Sequence, residues 1–264
     1  MCGLVGTLLH PRPRSPEAWQ TIREATTGNL QANEERGREA AGIAVIQRDG
    51  RYHIFKQPVT ASSLIVMEGY RETLERVNEE TVCILGHTRM PTKGSRWRNV
   101  NNHPLLAGHV IGIHNGVISN DDELFATLGL CRCGEVDSEI IFRLQDGIDP
   151  QRENGRYLPR VSERMRLLGG RFATLSVDLR QPTRLLALKH LQPLCIHYER
   201  SLTALFFSSR YIFLRRAFGR SVVTEALDSG YGFYFDALDF PAREGEPLSL
   251  FEIFPSNTKE THHE

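Results

Sequence analysis

The sequence predicts an α+β fold, on three observations. Short apolar, β-rich runs gather in two blocks, one in the first half of the chain and one after residue 170. Helical patterns fill the space between and around them, without regular β-α-β alternation. No internal repeat divides the chain, and 264 residues suffice for one large domain with a substantial core.

Each element follows from its own residues. Gly3 to Leu9 reads as a strand, and the proline-rich segment from Pro11 to Pro16 turns the chain. Ser15 and Pro16 then open a helix, with the serine as cap and the proline in the first turn. Ala41 to Gln47 and Tyr52 to Lys56 are strands joined by Asp49-Gly50, a short-hairpin signal. From Ser63 to Val77 the residues Leu64, Met67, Tyr70, Leu74 and Val77 repeat at helical spacing. Thr81 to Leu85 and Val110 to Ile113 are apolar strands that run into polar segments. Helical patterns cover Asp121 to Leu128, Ser138 to Leu144 and Leu158 to Leu168. Four strands follow, at Arg171 to Asp178, Arg184 to His190, Leu194 to Tyr198 and Leu202 to Ser208. From about Tyr211 the chain has a basic helix-like stretch, then the apolar runs Gly230 to Phe235 and Leu248 to Phe254.

Bulk properties narrow the function. Lys plus Arg is 32 and Asp plus Glu is 32, so the balanced charge argues against a nucleic-acid-binding role. No apolar run approaches the length of a membrane span. The amino terminus reads as a strand and lacks the basic-then-apolar layout of a secretion signal. Cys2, Cys83, Cys131, Cys133 and Cys195 form an odd, scattered set that suits a reducing, cytoplasmic compartment. Cys131-Arg132-Cys133 has poor spacing for zinc and reads as two incidental thiols. Thr261-His262-His263-Glu264 reads as a polar tail.

Chemistry is concentrated at five places. Cys2 would carry both a thiol and the chain's free α-amino group once Met1 is removed, so nucleophile and base would share one residue. Arg36 to Ile43 is a charged loop entering a strand. Gly86-His87-Thr88-Arg89-Met90-Pro91-Thr92-Lys93-Gly94-Ser95 offers a guanidinium suited to clamping a carboxylate. In His114-Asn115-Gly116, a side-chain amide beside a glycine N–H supplies two donors for a developing oxyanion, although Asn-Gly ordinarily makes a turn. Asp137, ahead of Ser138-Glu139, sets a carboxylate before a helix, where such residues ordinarily cap.

In this order, the amino-terminal Cys-Gly, RGxExAGI, GHTRxxTxGS, HNGxxxN and DSE resemble the class II glutamine amidotransferases, a branch of the amino-terminal nucleophile hydrolases. The resemblance covers roughly residues 2–210. It implies a four-layer αββα sandwich of two antiparallel sheets between helical layers. It also implies a glutaminase domain at 2–210, with 211–264 an extension packed on the same domain. By the same resemblance Cys2 attacks the side-chain amide of L-glutamine, and Asn115 with the Gly116 N–H holds the oxyanion. Arg89 pairs with the substrate's α-carboxylate, Asp137 with its α-ammonium, and Thr92 lines the pocket. Water hydrolyses the γ-glutamyl thioester, with no metal or organic cofactor. In the family ammonia usually passes to a synthetase, transferase or isomerase domain on the same chain; the roughly fifty residues after 210 are too few for one, so a separate synthetase or transferase partner is expected. The segment Asn101-Asn102-His103-Pro104 also matches the family, with His103 expected to be structural.

Met90, Pro91 and Lys93 depart from the aromatic, small residue and histidine of some branches, so the sequence assigns no acceptor. Two other readings keep part of this picture: a free-standing glutaminase without transfer, and a non-catalytic glutamine-binding regulatory subunit. The intact Cys2, Asn115 and Gly116 speak against the second.

Overall fold

A computed structural model describes residues 1–254; the polar tail at 261–264 lies outside them. In chain order the elements are β1 (Gly3–Leu9), α1 (Pro16–Asn33), β2 (Ala40–Gln47), β3 (Tyr52–Gln57), α2 (Ala61–Leu64), α3 (Glu68–Glu75) and β4 (Thr81–Arg89). There follow β5 (Leu105–Ala107), β6 (Val110–Ile118), α4 (Asp121–Thr127), α5 (Ser138–Asp146) and α6 (Tyr157–Met165). The remainder is β7 (Gly170–Asp178), β8 (Arg184–His190), β9 (Cys195–Glu199), β10 (Ala204–Ser208), α7 (Tyr211–Phe218), β11 (Glu225–Ala226), β12 (Tyr231–Asp236) and β13 (Ser249–Glu252).

Two antiparallel sheets face each other. The first has the order β11-β9-β10-β1-β4-β2-β3 and the second β13-β12-β8-β7-β6-β5. Strand periodicity explains the layering. Along β1, Leu4 and Leu8 enter the core between the sheets, with Leu85, Ile113, Leu175 and Phe207. Val5 and Leu9 point the other way, onto Ile22 and Leu30 of α1 and Leu214 of α7. On the second sheet Ile111 and Ile113 face inward, whereas Val110 and Ile118 pack with Ile140, Phe142 and Val161 of α5 and α6. Central strands are therefore buried on both faces, which is why they read as unbroken apolar runs rather than alternating ones. The αββα sandwich implied by the sequence is the fold observed. Residues 211–254 contribute α7 against α1 and set β12 beside β8, from Tyr231↔Lys189 to Asp236↔Arg184.

Local chemistry sets the element ends. The Ser15 hydroxyl accepts from the Ala18 N–H, with Pro16 in the first turn, as expected of an N-cap. Two sequence readings needed correction. The single helix expected from Ser63 to Val77 is two short ones, because Met67 is extended (φ −75°, ψ 146°). The β-branched pair Ile65-Val66 favours a break there, and each short helix docks its own apolar residues, Leu64 or Tyr70 and Leu74, on the first sheet. Second, the strand expected over Val110 to Ile113 continues to Ile118. It carries Asn115-Gly116 within it, with Asn115 opposite Ala173 and Gly116 opposite Phe172.

Candidate active site

The expected site residues converge at one end of the sandwich, where β1 and β4 of the first sheet meet β6 of the second. Cys2, Arg89, Thr92, Gly116 and Asp137 line a single pocket, together with Met90, Lys93, His103, His114 and Ser138. Asn115 is buried beside it and bonds Cys2 directly: the Cys2 N–H donates to Asn115 Oδ1 at 2.9 Å. The side-chain amide is held from its other end as well, since Nδ2 donates to Gln192 Oε1 at 3.1 Å. One N–H of that amide remains for a ligand. Gln192 was missed in the sequence, because it lies in an unremarkable loop some 77 residues away.

Cys2 is held by its backbone and its sulfur. The Arg36 Nε–H donates to the Cys2 carbonyl at 2.7 Å, which gives the first arginine of the RGxExAGI motif a definite task. The thiol accepts from the Met90 N–H at 3.4 Å. Burial pushes its pKa up, and the Met90 N–H pulls the other way. A thiol so placed needs a base to become a nucleophile.

Gly116 is required by geometry. Its φ is 146°, and a Cβ there would fall 2.0 Å from the Arg171 carbonyl oxygen and 2.8 Å from Phe172 Cα. Any side chain would push β6 off β7.

The two charges expected to hold a substrate are both buried, and neither has an oppositely charged side chain within salt-bridge distance among the described residues. Arg89 is 3 % exposed and Asp137 is 5 % exposed. The Arg89 guanidinium instead donates to Asn102 Oδ1 at 2.8 Å and to the carbonyls of Lys93 and Gly94 at 2.7 and 2.9 Å. Asp137 occupies the cap position of α5 without capping it. Its Oδ2 accepts from the Ile118 N–H at 2.7 Å, which leaves Oδ1 available. The DSE glutamate, Glu139, accepts from the Cys133 and Gly134 N–H groups and so shapes the loop before α5.

The loop after β4 closes the pocket. Lys93 Nζ donates to Asp121 Oδ2 at 2.7 Å and to Asp122 at 2.8 Å, at the start of α4; Arg132 bonds the same two carboxylates. The remaining cavity is about 20 Å³, space for one water. Thr92 is exposed on this loop. Cys131 and Cys133 are exposed thiols on the loop carrying Arg132. Among the described residues, no three His, Cys, Asp or Glu side chains are placed to share a metal ion, and no helix is long and apolar enough to cross a membrane.

Known proteins resemble the chain in sequence and in fold. No family model matches the chain. It is 29 % identical over 213 residues to 7-cyano-7-deazaguanine synthase of Sulfolobus acidocaldarius, covering 79 % of this chain and 43 % of that protein. It is also 29 % identical over 203 residues to glutamine–fructose-6-phosphate aminotransferase (isomerizing) of Escherichia coli K12, covering 74 % of this chain and 30 % of that one. The chain thus spans less than half the length of either relative. In fold it matches glutamine phosphoribosylpyrophosphate amidotransferase from B. subtilis with a TM-score of 0.69 at 18 % identity, over 96 % of this chain and 49 % of the other. The chain is thus similar in sequence to glutamine–fructose-6-phosphate aminotransferase over 74 % of its length, and it shares the fold of a glutamine phosphoribosylpyrophosphate amidotransferase.

Proposed function

We propose that this domain hydrolyses the side-chain amide of L-glutamine to glutamate and ammonia through a thioester on Cys2. The observation that carries the reading is the pair of buried opposite charges beside the thiol, neither of them in a salt bridge. Arg89 and Asp137 together complement the α-carboxylate and α-ammonium of a free amino acid, and a buried charge gains from an opposite one at contact distance. A substrate zwitterion would supply both.

The steps follow from the positions. While Met1 is attached, the Cys2 nitrogen is an amide donating to Asn115 and has no basicity. Removal of Met1 turns it into an amine that can take the thiol proton. The thiolate attacks the amide carbon, and the Asn115 Nδ2–H and Gly116 N–H stabilise the oxyanion. The amine returns its proton to the departing ammonia, leaving the γ-glutamyl thioester for water. Glutamine enters when the 90–95 loop withdraws, because the closed pocket is too small for it. Thr92 then forms part of the wall around the bound amino acid.

Ammonia is passed to an acceptor site, on a partner subunit or on a further domain, in a reducing cytoplasmic setting. The test is intact mass after treatment with an electrophilic glutamine analogue, with Cys2→Ala alongside. One adduct on a Met1-free chain, absent from the variant and blocked by glutamine, supports the reading. A processed Cys2 that stays unlabelled at saturating analogue overturns it.

A further inference from the structure

Three histidines lie behind the nucleophile. His87 is in β4, His103 precedes β5 and His114 is in β6, and all three are buried. The His87 and His103 rings stack with centroids 4.3 Å apart. His87 Nε2 bonds the His114 carbonyl at 2.9 Å, and His114 Nδ1 bonds Ser138 Oγ at 2.7 Å. Of the six ring nitrogens of these three histidines, four are buried without a partner among the described residues: His87 Nδ1, both nitrogens of His103, and His114 Nε2. Each such group costs about 1–3 kcal/mol if left unsatisfied. Their arrangement is no metal site. Of the three residues, His103 and His114 line the pocket of Cys2.

We propose that His103 and His114 hold the water that deacylates the Cys2 thioester, an inference that rests on the glutaminase reading. The closed pocket that both residues line has about 20 Å³, room for one water, and the ring nitrogens left without protein partners are what would retain it once the glutamyl group fills the rest of the opened pocket. Burial, with the cations Arg89 and Lys56 nearby, keeps the His103 ring neutral, and burial does the same for His114. Each ring therefore offers one donor and one acceptor. In the tautomer that donates from Nδ1 to Ser138 Oγ, His114 accepts a water hydrogen at Nε2. His103 donates an N–H to one water lone pair. The second lone pair is then free to attack.

The step balances. The water oxygen bonds to the thioester carbonyl carbon, and its other proton passes to the free α-amino group of Cys2. The carbon–sulfur bond breaks, the thiolate takes that proton, and glutamate leaves.

The test is rapid-quench mass spectrometry of the Met1-free chain turning over glutamine, which follows formation and decay of the γ-glutamyl adduct on Cys2. In His103→Leu the adduct forms within about threefold of the wild-type rate but decays about a hundredfold more slowly, the cost of losing a fixed reactant position. In His103→Asn, which restores a donor and an acceptor, decay partly recovers. Should the leucine variant melt below the assay temperature, Ser138→Ala, which frees the His114 ring, is read the same way. Formation and decay falling together, or decay unchanged, overturns the inference. A wild-type chain that forms no adduct at all overturns the glutaminase reading itself and this inference with it.

Discussion

Cys2 and Asn115 belong to different sheets, yet the Cys2 N–H donates to Asn115 Oδ1 at 2.9 Å. The nucleophile leads β1 of one sheet, and the oxyanion donor sits within β6 of the other. Their alignment therefore depends on how the sheets pack, which the core between them and the His87–His114 carbonyl bond fix together. Replacing Asn115 by Ala removes an oxyanion donor and the acceptor that orients the Cys2 nitrogen. We expect kcat for glutamine hydrolysis to fall about 10²–10³-fold, with the melting temperature lowered only modestly. An unchanged kcat would place the oxyanion elsewhere.

Arg89 and Asp137 act at the other end of the substrate, on groups that do not react. Their loss should appear in KM more than in kcat. A hydrogen bond to a charged group contributes about 1.5–3 kcal/mol, so Asp137→Asn should raise KM by roughly 10–150-fold. Arg89→Lys should do the same, since a point charge cannot reproduce the planar fork. A steady-state comparison of glutamine with glutaramic acid, which lacks the α-amino group, is the check. Asp137→Asn should leave the second compound's KM unchanged, and an equal rise for both would remove the ammonium contact.

Most of the sandwich was legible in the sequence, because strands buried on both faces write themselves as apolar runs. What failed was local. The strand expected over Val110 to Ile113 stops short of Asn115-Gly116, since no two-residue signal reveals that β7 supplies a partner for every residue of β6. Arg89, Cys2 and Asp137 could be assigned to one pocket only through the resemblance, as spacing along a chain does not say which strand ends meet. Gln192 and the role of Arg36 left no sequence signal: each matters through one bond made by the fold.

The 90–95 loop must open for substrate, and Lys93 is its tie to α4. The tie is partly solvent-exposed, and Arg89 still grips the Lys93 and Gly94 carbonyls when the lysine side chain is gone. Lys93→Ala should therefore speed labelling of Cys2 by an electrophilic glutamine analogue by no more than about fivefold. Slower labelling would show that the lysine assists binding rather than closure.

The buried histidines give the fold an acid limit. Burial pushes His87 down to about 3, against the opposing pull of its bond to the His114 carbonyl, and lowers His103 and His114 as well. In the unfolded chain each imidazole titrates near its ordinary value of about 6.5. Between these values the unfolded state binds protons that the folded state refuses, so stability rises with pH across the window and is lost as pH falls through it. The slope is about 1.4 kcal/mol per pH unit for each imidazole. By pH 5 His87 alone should cost roughly 2 kcal/mol, and His103 and His114 act in the same direction. Urea midpoints measured from pH 7.5 to 4.5 should fall steeply below about pH 6.5. His103→Asn should flatten the slope by about one proton's worth. Stability unchanged between pH 7 and pH 5 would mean that the folded protein takes up these protons, and that the chamber behind Cys2 is open to water.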